Sequence, residues 1–145
     1  MKIFADTNVL LAACIEDHIH HSRAKQILAA VHEGRAEGFT SGHAALELYS
    51  VMTRLPRSQR MLASQAMVMI QENILKKFTL IALTGKEYGE LVLDLGAQSA
   101  LGGQSYDALH LACARKCDAD QVYTFNVQHF QNLVQDNFRM RIVAP

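Results

Sequence analysis

The chain has 145 residues, half of them hydrophobic, and its 14 acidic and 14 basic side chains leave no formal net charge. This length is close to the most common size of one domain, so we expect residues 1–145 to form a single folded unit. The neutral balance excludes the broad electrostatic attraction to nucleic acid that a strongly basic chain would have.

The chain begins with an apolar run, MKIFADTNVLLAACI, that Asp6 and Asn8 interrupt too early for a secretory signal. No later apolar stretch approaches the roughly 20 residues that a membrane-spanning helix requires. We therefore expect a soluble, cytoplasmic protein. Within the same segment, residues 2–5 predict a buried strand that ends at Asp6, and VLLAACI predicts a short helix.

Apolar residues then recur at helical spacing over residues 22–33, which predicts the first long helix. Residues 39–41 suit a brief strand. The next helix carries Glu47 and closes at Leu55, because the residue before a proline avoids the α region. A second long helix is predicted over residues 58–76.

The last part of the chain continues the alternation of strands and helices. Its elements are a strand at 78–83, a helix from the Thr84–Glu87 capping box to Leu95, a helix containing Asp107 after the Gly102–Gly103 break, a strand QVYTF before Asn126, a helical turn and a strand RMRIV. Such alternation predicts an α/β fold, a three-layer α/β/α domain with a central, mostly parallel sheet.

Four polar residues lie where this fold would bring them together. Asp6 and Asn126 follow strand patterns, whereas Glu47 and Asp107 occupy otherwise apolar helices. The carboxyl ends of parallel strands open into one crevice, in which ligands bind. Three carboxylates there would repel one another unless a cation compensated them, and Mg²⁺ or Mn²⁺ accepts such oxygen ligands. The pattern therefore predicts a divalent metal site.

Each of the four also has a purely structural interpretation. Asp6 and Asp107 could cap helices, and Asn126 could be a turn residue. Glu47 could lie on a solvated helix face, together with His43, Ser50 and Arg54. The set as a whole, rather than any one member, favours a functional site.

Other motifs are weaker. The chain has no P-loop, dinucleotide-binding or serine-hydrolase motif. The three cysteines, Cys14, Cys113 and Cys117, form no CxxC pair. This favours reduced, packed thiols over a zinc site that they would form with His110. His110 itself is expected to be packed or to support the site. The loop histidines leave two interpretations open, a transition-metal site or loop packing: His18, His20 and His21.

The basic segment TRLPRSQR also leaves two interpretations open. Its arginines are Arg54, Arg57 and Arg60. The planar donors of arginine suit phosphate, so the segment could contact RNA. It could equally be an ordinary solvated surface.

The motifs around the four residues resemble the PIN domain family, and more closely the ribonuclease toxins of bacterial VapBC toxin–antitoxin systems: DTNVLL, ALELYSV, GGQSYDALHLACA and TFNVQHF. Their order and approximate spacing match that family over essentially the whole chain. The resemblance implies cleavage of RNA, with Asp6, Glu47 and Asp107 binding Mg²⁺ or Mn²⁺ and Asn126 completing the catalytic set. It also implies a homodimer and a small inhibitory antitoxin as a partner.

Asn126 is the main departure from this family, because many relatives have aspartate at that position. The amide can still accept a hydrogen bond, but the site then has three formal charges rather than four. Thr124 and Asn8 match polar positions of the family that could support the site. Two functions therefore stay open: an active endoribonuclease toxin, or a catalytically weak PIN domain that acts as an RNA-binding or protein-interaction module.

Overall fold

A computed structural model describes residues 1–134 and 139–145, and within them five parallel strands form one sheet. The strands are β1 Lys2–Ala5, β2 Glu37–Ser41, β3 Phe78–Ile81, β4 Gln121–Tyr123 and β5 Arg141–Val143. Their order in the sheet is β3-β2-β1-β4-β5. Strand β1 is central, and Phe4 pairs with Phe39 of β2 and with Val122 of β4.

Helices cover both faces of this sheet. In the described residues they are α1 Thr7–Cys14, α2 His21–His32, α3 Gly42–Arg54, α4 Ala63–Ile70, α5 Gly85–Ala97, α6 Gln104–Lys116 and α7 Val127–Asn132, and a π-helical turn at Gln71–Leu75 extends α4. No helix in these residues is long and apolar enough to cross a membrane.

The core is divided by the sheet, because successive side chains of a strand point to opposite faces. Ile3 and Ala5 of β1 pack into the cluster that contains α1 to α4, whereas Phe4 packs with α6 and α7. All three side chains are buried, as expected for a central strand of a parallel sheet. The predicted α/β/α architecture is therefore confirmed.

One predicted element, the long helix over residues 58–76, is wrong at its start. The carbonyl of Pro56 accepts a hydrogen bond from the amide of Arg60, which closes a separate turn. Helix α4 begins only after Leu62, whose amide donates to the Gln65 side chain at 2.9 Å. The turn is mostly exposed, so no apolar face draws it into the helix. The other predicted elements are confirmed, with ends shifted by a few residues.

Candidate functional site

Asp6 lies at the carboxyl end of β1 and is only 2% exposed. Its Oδ1 accepts from the amide of Val9 at 2.9 Å, and its Oδ2 accepts from the hydroxyl of Thr124 at 2.7 Å. Burial raises the pKa of Asp6 to about 6, the two hydrogen bonds lower it, and the charges of Asp107 and Glu47 raise it. Asp6 is thus the predicted cap of α1, yet it also lies within electrostatic reach of both other carboxylates.

Glu47 reaches the same edge from helix α3, which begins directly after β2. The Ser41 hydroxyl caps this helix by accepting from the amide of Ala44 at 2.9 Å. The Glu47 side chain is 38% exposed and accepts from the hydroxyl of Thr7 at 2.9 Å. One turn earlier, His43 Nε2 lies 3.4 Å from Glu47 Oε2. Glu47 is therefore held beside Asp6, although the rest of its predicted stripe, Ser50 and Arg54, is exposed.

Asp107 lies in the first turn of α6 and its side chain is 18% exposed. Capping does not explain its position, because the helix begins after Gly103. Burial raises the pKa of Asp107, the nearby His129 lowers it, and the charge of Glu47 raises it. His129 Nδ1 lies 4.0 Å from Asp107 Oδ2. The structure therefore brings the three predicted carboxylates into one electrostatic group.

Asn126 connects to this group through its backbone. Its amide donates to Thr124 Oγ1 at 3.0 Å, and the same hydroxyl donates to Asp6. Asn126 is the N-cap residue of α7, but its partly buried side chain makes no capping hydrogen bond and none to the other described residues. The backbone of Asn126 is thus connected to Asp6 through Thr124, and its side-chain amide is available to a ligand.

A buried histidine on α6 links two of the strand ends. His110 is 3% exposed, and its Nδ1 and Nε2 atoms lie 3.1 Å from Ser41 Oγ and 3.4 Å from Thr7 Oγ1. Burial and, to a smaller extent, the charge of His43 together lower the pKa of His110 to about 4, so the ring is neutral at pH 7. The expected supporting role of His110 agrees with this position.

The direction of these hydrogen bonds follows from counting protons. The single hydroxyl proton of Thr7 is donated to Glu47, so Thr7 Oγ1 accepts from the Nε2–H of His110. The remaining nitrogen, Nδ1, then accepts from the hydroxyl of Ser41. These bonds form a chain of donors that runs from Ser41 through His110 and Thr7 to Glu47.

Three features of the site were not predicted from the sequence: the roles of Thr7 and Ser41, and the contact of His43 with Glu47. Thr7 directly follows Asp6, and Ser41 ends β2 at the start of α3. One pattern in the sequence could have indicated both residues. Each is a hydroxyl residue at the carboxyl end of a strand, and the two strands are neighbours in the parallel sheet.

The carboxylates of the site could bind a divalent ion directly or through water. No three or more His, Cys, Asp or Glu side chains in residues 1–134 and 139–145 are arranged to hold an ion directly. Mg²⁺, however, keeps several waters and is commonly bound through only one or two carboxylates. Asp6, Glu47 and Asp107 fit such a water-rich site, because each is an oxygen donor and the burial of two of them disfavours an uncompensated negative charge.

The loop histidines use their nitrogens within the protein. His18 Nδ1 accepts from the amide of His20 at 3.1 Å, and His21 Nδ1 lies 2.9 Å from the carbonyl of Ala12. The ring of His20 stacks on Phe125 with 4.4 Å between centroids. These contacts favour the packing interpretation over a transition-metal site.

The cysteines are buried and free. Burial raises the pKa of Cys14 to about 12 and that of Cys113 to about 11, which keeps both thiols protonated at pH 7. Cys113 donates to the carbonyl of Ile81, and Cys117 donates to that of Ala114. These contacts favour packed thiols over the zinc alternative.

The site is bordered by a pair of stacked rings from different helices. The rings of His43 and Tyr106 are 4.9 Å apart and nearly parallel, with an interplanar angle of 9°.

The basic segment lies at the exposed end of α3, where the Arg60 side chain donates to the carbonyl of Leu55. Neither interpretation of that segment is tested by these contacts.

Comparisons with known proteins identify a family and a fold. A sequence model described as the PIN domain matches residues 3–133. No curated protein matches the chain in sequence. Among solved structures, Mycobacterium tuberculosis VapC20, described as a sarcin–ricin loop cleaving toxin, has 19% identity and a TM-score of 0.68 over 88% of this chain and 92% of that one.

Two further solved structures cover nearly the full length of both chains. The structure of Rickettsia felis VapBC2 bound to a promoter DNA fragment has 18% identity and a TM-score of 0.67, over 99% of this chain and 98% of that one. The structure of VapBC-1 from nontypeable Haemophilus influenzae has 16% identity and a TM-score of 0.65, with the same coverage. At these identities, the likeness shows the fold alone.

Proposed function

Because the chain belongs to the PIN domain family, we propose that it is a Mg²⁺- or Mn²⁺-dependent endoribonuclease and the toxin of a type II toxin–antitoxin system. The observation that carries this proposal is the convergence of Asp6, Glu47 and Asp107 at the carboxyl edge of the sheet. The charges of Glu47 and Asp107 both act on the buried Asp6. A site that gathers carboxylates in this way suits a divalent cation better than any purely structural role.

The chain's own residues would hold and orient the reacting groups. A divalent ion, when bound, supplies activation of water and neutralises charge in phosphodiester hydrolysis. Asp6, Glu47 and Asp107 would hold it, and the side-chain amide oxygen of Asn126 would accept a hydrogen bond from the attacking water. Asp6 keeps its orientation through Thr124 and the amide of Val9.

The proposed partners follow from family membership and from the named relatives. Likeness to a sarcin–ricin loop cleaving toxin supports an RNA substrate, and likeness to VapBC structures supports a small antitoxin. We also expect a homodimer in the cytoplasm. The alternative is a catalytically weak RNA-binding or protein-interaction module, which the uncharged Asn126 favours.

Cleavage of single-stranded RNA by Asp107→Asn protein tests the proposal. The substitution removes a charge at nearly constant size, so cleavage in Mg²⁺ or Mn²⁺ should fall by at least about a hundredfold. Asp94→Asn is the matched control, because Asp94 is exposed on α5, and it should cleave normally. Thermal unfolding should show that both variants are folded.

Two outcomes would reject this function. Wild-type cleavage that continues in excess EDTA would exclude the metal mechanism. Absence of any RNA cleavage in either metal, together with growth that is unaffected by strong expression of folded protein, would favour the module. For a toxin, expression alone should slow growth, and co-expression of the adjacent small gene should restore it.

A further inference from the structure

The candidate site has few means of attracting a polyanion. The whole chain is formally neutral, and the site itself gathers three carboxylates. Phosphate contacts by cationic side chains provide most of the affinity of ordinary nucleic-acid binding proteins. Stacking of bases on aromatic rings supplies affinity that does not depend on charge, so it would add to whatever the proposed metal ion and the basic segment contribute.

Tyr106 offers such a ring. One of its faces is covered by His43, with the two rings nearly parallel at 4.9 Å. The residue is nevertheless 54% exposed, and no second ring of the described residues stacks on the face opposite His43. A large aromatic ring that is ordered on one face and free on the other matches the geometry of a base-stacking platform.

The ring pair is tied to the candidate site on both sides. Tyr106 directly precedes Asp107 on α6. His43 Nε2 lies 3.4 Å from Glu47 Oε2, and its ring centroid lies 6.0 Å from that of His110. These contacts order Tyr106 before any ligand binds, which lowers the entropy lost on binding.

We propose that the open face of Tyr106 is a nucleobase-binding site that stacks one unpaired base of the RNA beside Asp107. The inference rests on the proposed function and adds to it how the strand is held. Bases inside a duplex present no free face, so the site selects single-stranded segments. An exposed tyrosine can also bind a protein. A base is favoured here because stacking on His43 orders the Tyr106 ring and because the ring lies next to the carboxylates.

Tyrosine fluorescence gives a direct test, since the chain has four tyrosines and no tryptophan. The protein is titrated in EDTA at low ionic strength with a single-stranded oligoadenylate RNA, with its duplex and with an abasic strand of equal length. The single strand should quench the emission and bind more tightly than the other two. EDTA prevents the proposed cleavage during the titration.

Three variants separate stacking from other effects. Tyr106→Phe should bind with an affinity within about twofold of wild type and lose the quenching that depends on Tyr106. Tyr106→Leu keeps apolar surface without a ring and should weaken binding by about fivefold to a hundredfold. Tyr88→Leu is the matched control, because Tyr88 on α5 is 45% exposed and should leave binding unchanged.

The inference fails if folded Tyr106→Leu binds like wild type, if the abasic strand binds as tightly as oligoadenylate, or if the single strand does not bind. Full quenching in Tyr106→Phe would also overturn it. A Tyr106→Leu protein with altered oligomeric state but unchanged RNA affinity would assign the ring to a protein contact. Stacking without cleavage would reject the nuclease alone, whereas cleavage without stacking would reject this site alone.

Discussion

The two halves of the candidate site differ in how they meet solvent. The buried half consists of three residues at strand ends and the histidine that is hydrogen-bonded to one of them: Asp6, Thr7, Thr124 and His110. The open half comprises the partly exposed residues Glu47, Asp107 and Asn126. Every fully buried side-chain nitrogen and oxygen in the described residues has a hydrogen-bond partner. The buried half is thus a desolvated, hydrogen-bonded frame that includes one proposed metal ligand, Asp6, and the open half provides the groups that are more exposed to a ligand.

This difference predicts which property each substitution changes. Burial raises the pKa of Asp6 and lowers that of His110, so both side chains are driven towards their neutral forms. Substitutions in the buried half should therefore alter stability and its pH dependence in addition to any effect on cleavage. Those in the open half should alter metal binding and cleavage with little change in stability.

The largest expected effect concerns the pH dependence of stability in EDTA. The pKa of Asp6 is raised from 3.8 to about 6, so the folded state binds more protons between these values and its stability falls as pH rises through them. The pKa of His110 is lowered from 6.5 to about 4, so stability falls as pH drops through that window. Each contribution is about 3 kcal/mol, and the two oppose each other.

Single substitutions should expose the hidden contributions. The stability of Asp6→Asn should rise as the pH is raised from 4 to 6.5, because only the His110 contribution remains. The stability of His110→Gln should fall as the pH is raised over the same range, because only Asp6 then contributes. Urea unfolding at several pH values measures both slopes, and Asp94→Asn is the control. Slopes parallel to wild type in both variants would show that neither group is desolvated as described.

The next effect concerns the missing charge of the open half. Asn126→Asp adds a carboxylate at nearly constant volume, and it should tighten divalent-ion binding by about fivefold to a hundredfold if the side chain lines the site. Metal titration by calorimetry on both proteins, at one pH and salt concentration, gives the ratio. Identical curves would place Asn126 outside the site and reduce the set of site residues to Asp6, Glu47 and Asp107.

The smallest effect tests the link between the halves. Thr7→Val removes the hydroxyl that orients Glu47 and should lower RNA cleavage about tenfold, as for other residues that orient a metal ligand. Thr7→Ser keeps the hydroxyl and should restore most of the activity. The loss should be in kcat rather than KM, because Thr7 contacts no substrate. Equal rates in Thr7→Val and wild type would contradict the orienting role.

The carboxylates of the site were easier to predict from the sequence than the hydrogen bonds that hold them. Glu47 and Asp107 interrupt apolar helix patterns, so an acidic residue stands out there. The positions of both at the sheet edge then follow from the order of strands and helices. Their proposed metal-binding role stays a prediction.

The hydrogen-bond partners of Thr7 and His110 could not be predicted in the same way. Their hydrogen bond joins residues 103 positions apart, and no periodicity encodes that distance. The stacking of Tyr106 on His43 depends likewise on how α6 approaches α3. The error at residues 58–62 has a local cause, since turn hydrogen bonds after Pro56 outweigh a moderate helical pattern.

The central position of β1 has a consequence for the synthesis of the protein. The hydrogen bond from Thr124 to Asp6 joins residues 118 positions apart, and β4 must pair with β1 before it can form. Contacts so distant in sequence form late in folding, and a chain on the ribosome folds from its N-terminal side. We expect ribosome-arrested chains that stop before residue 121 to cleave no RNA, although they already contain Asp6, Glu47 and Asp107. Under the proposed function, the carboxylate site would therefore be completed only when the nascent chain has been made almost to its end.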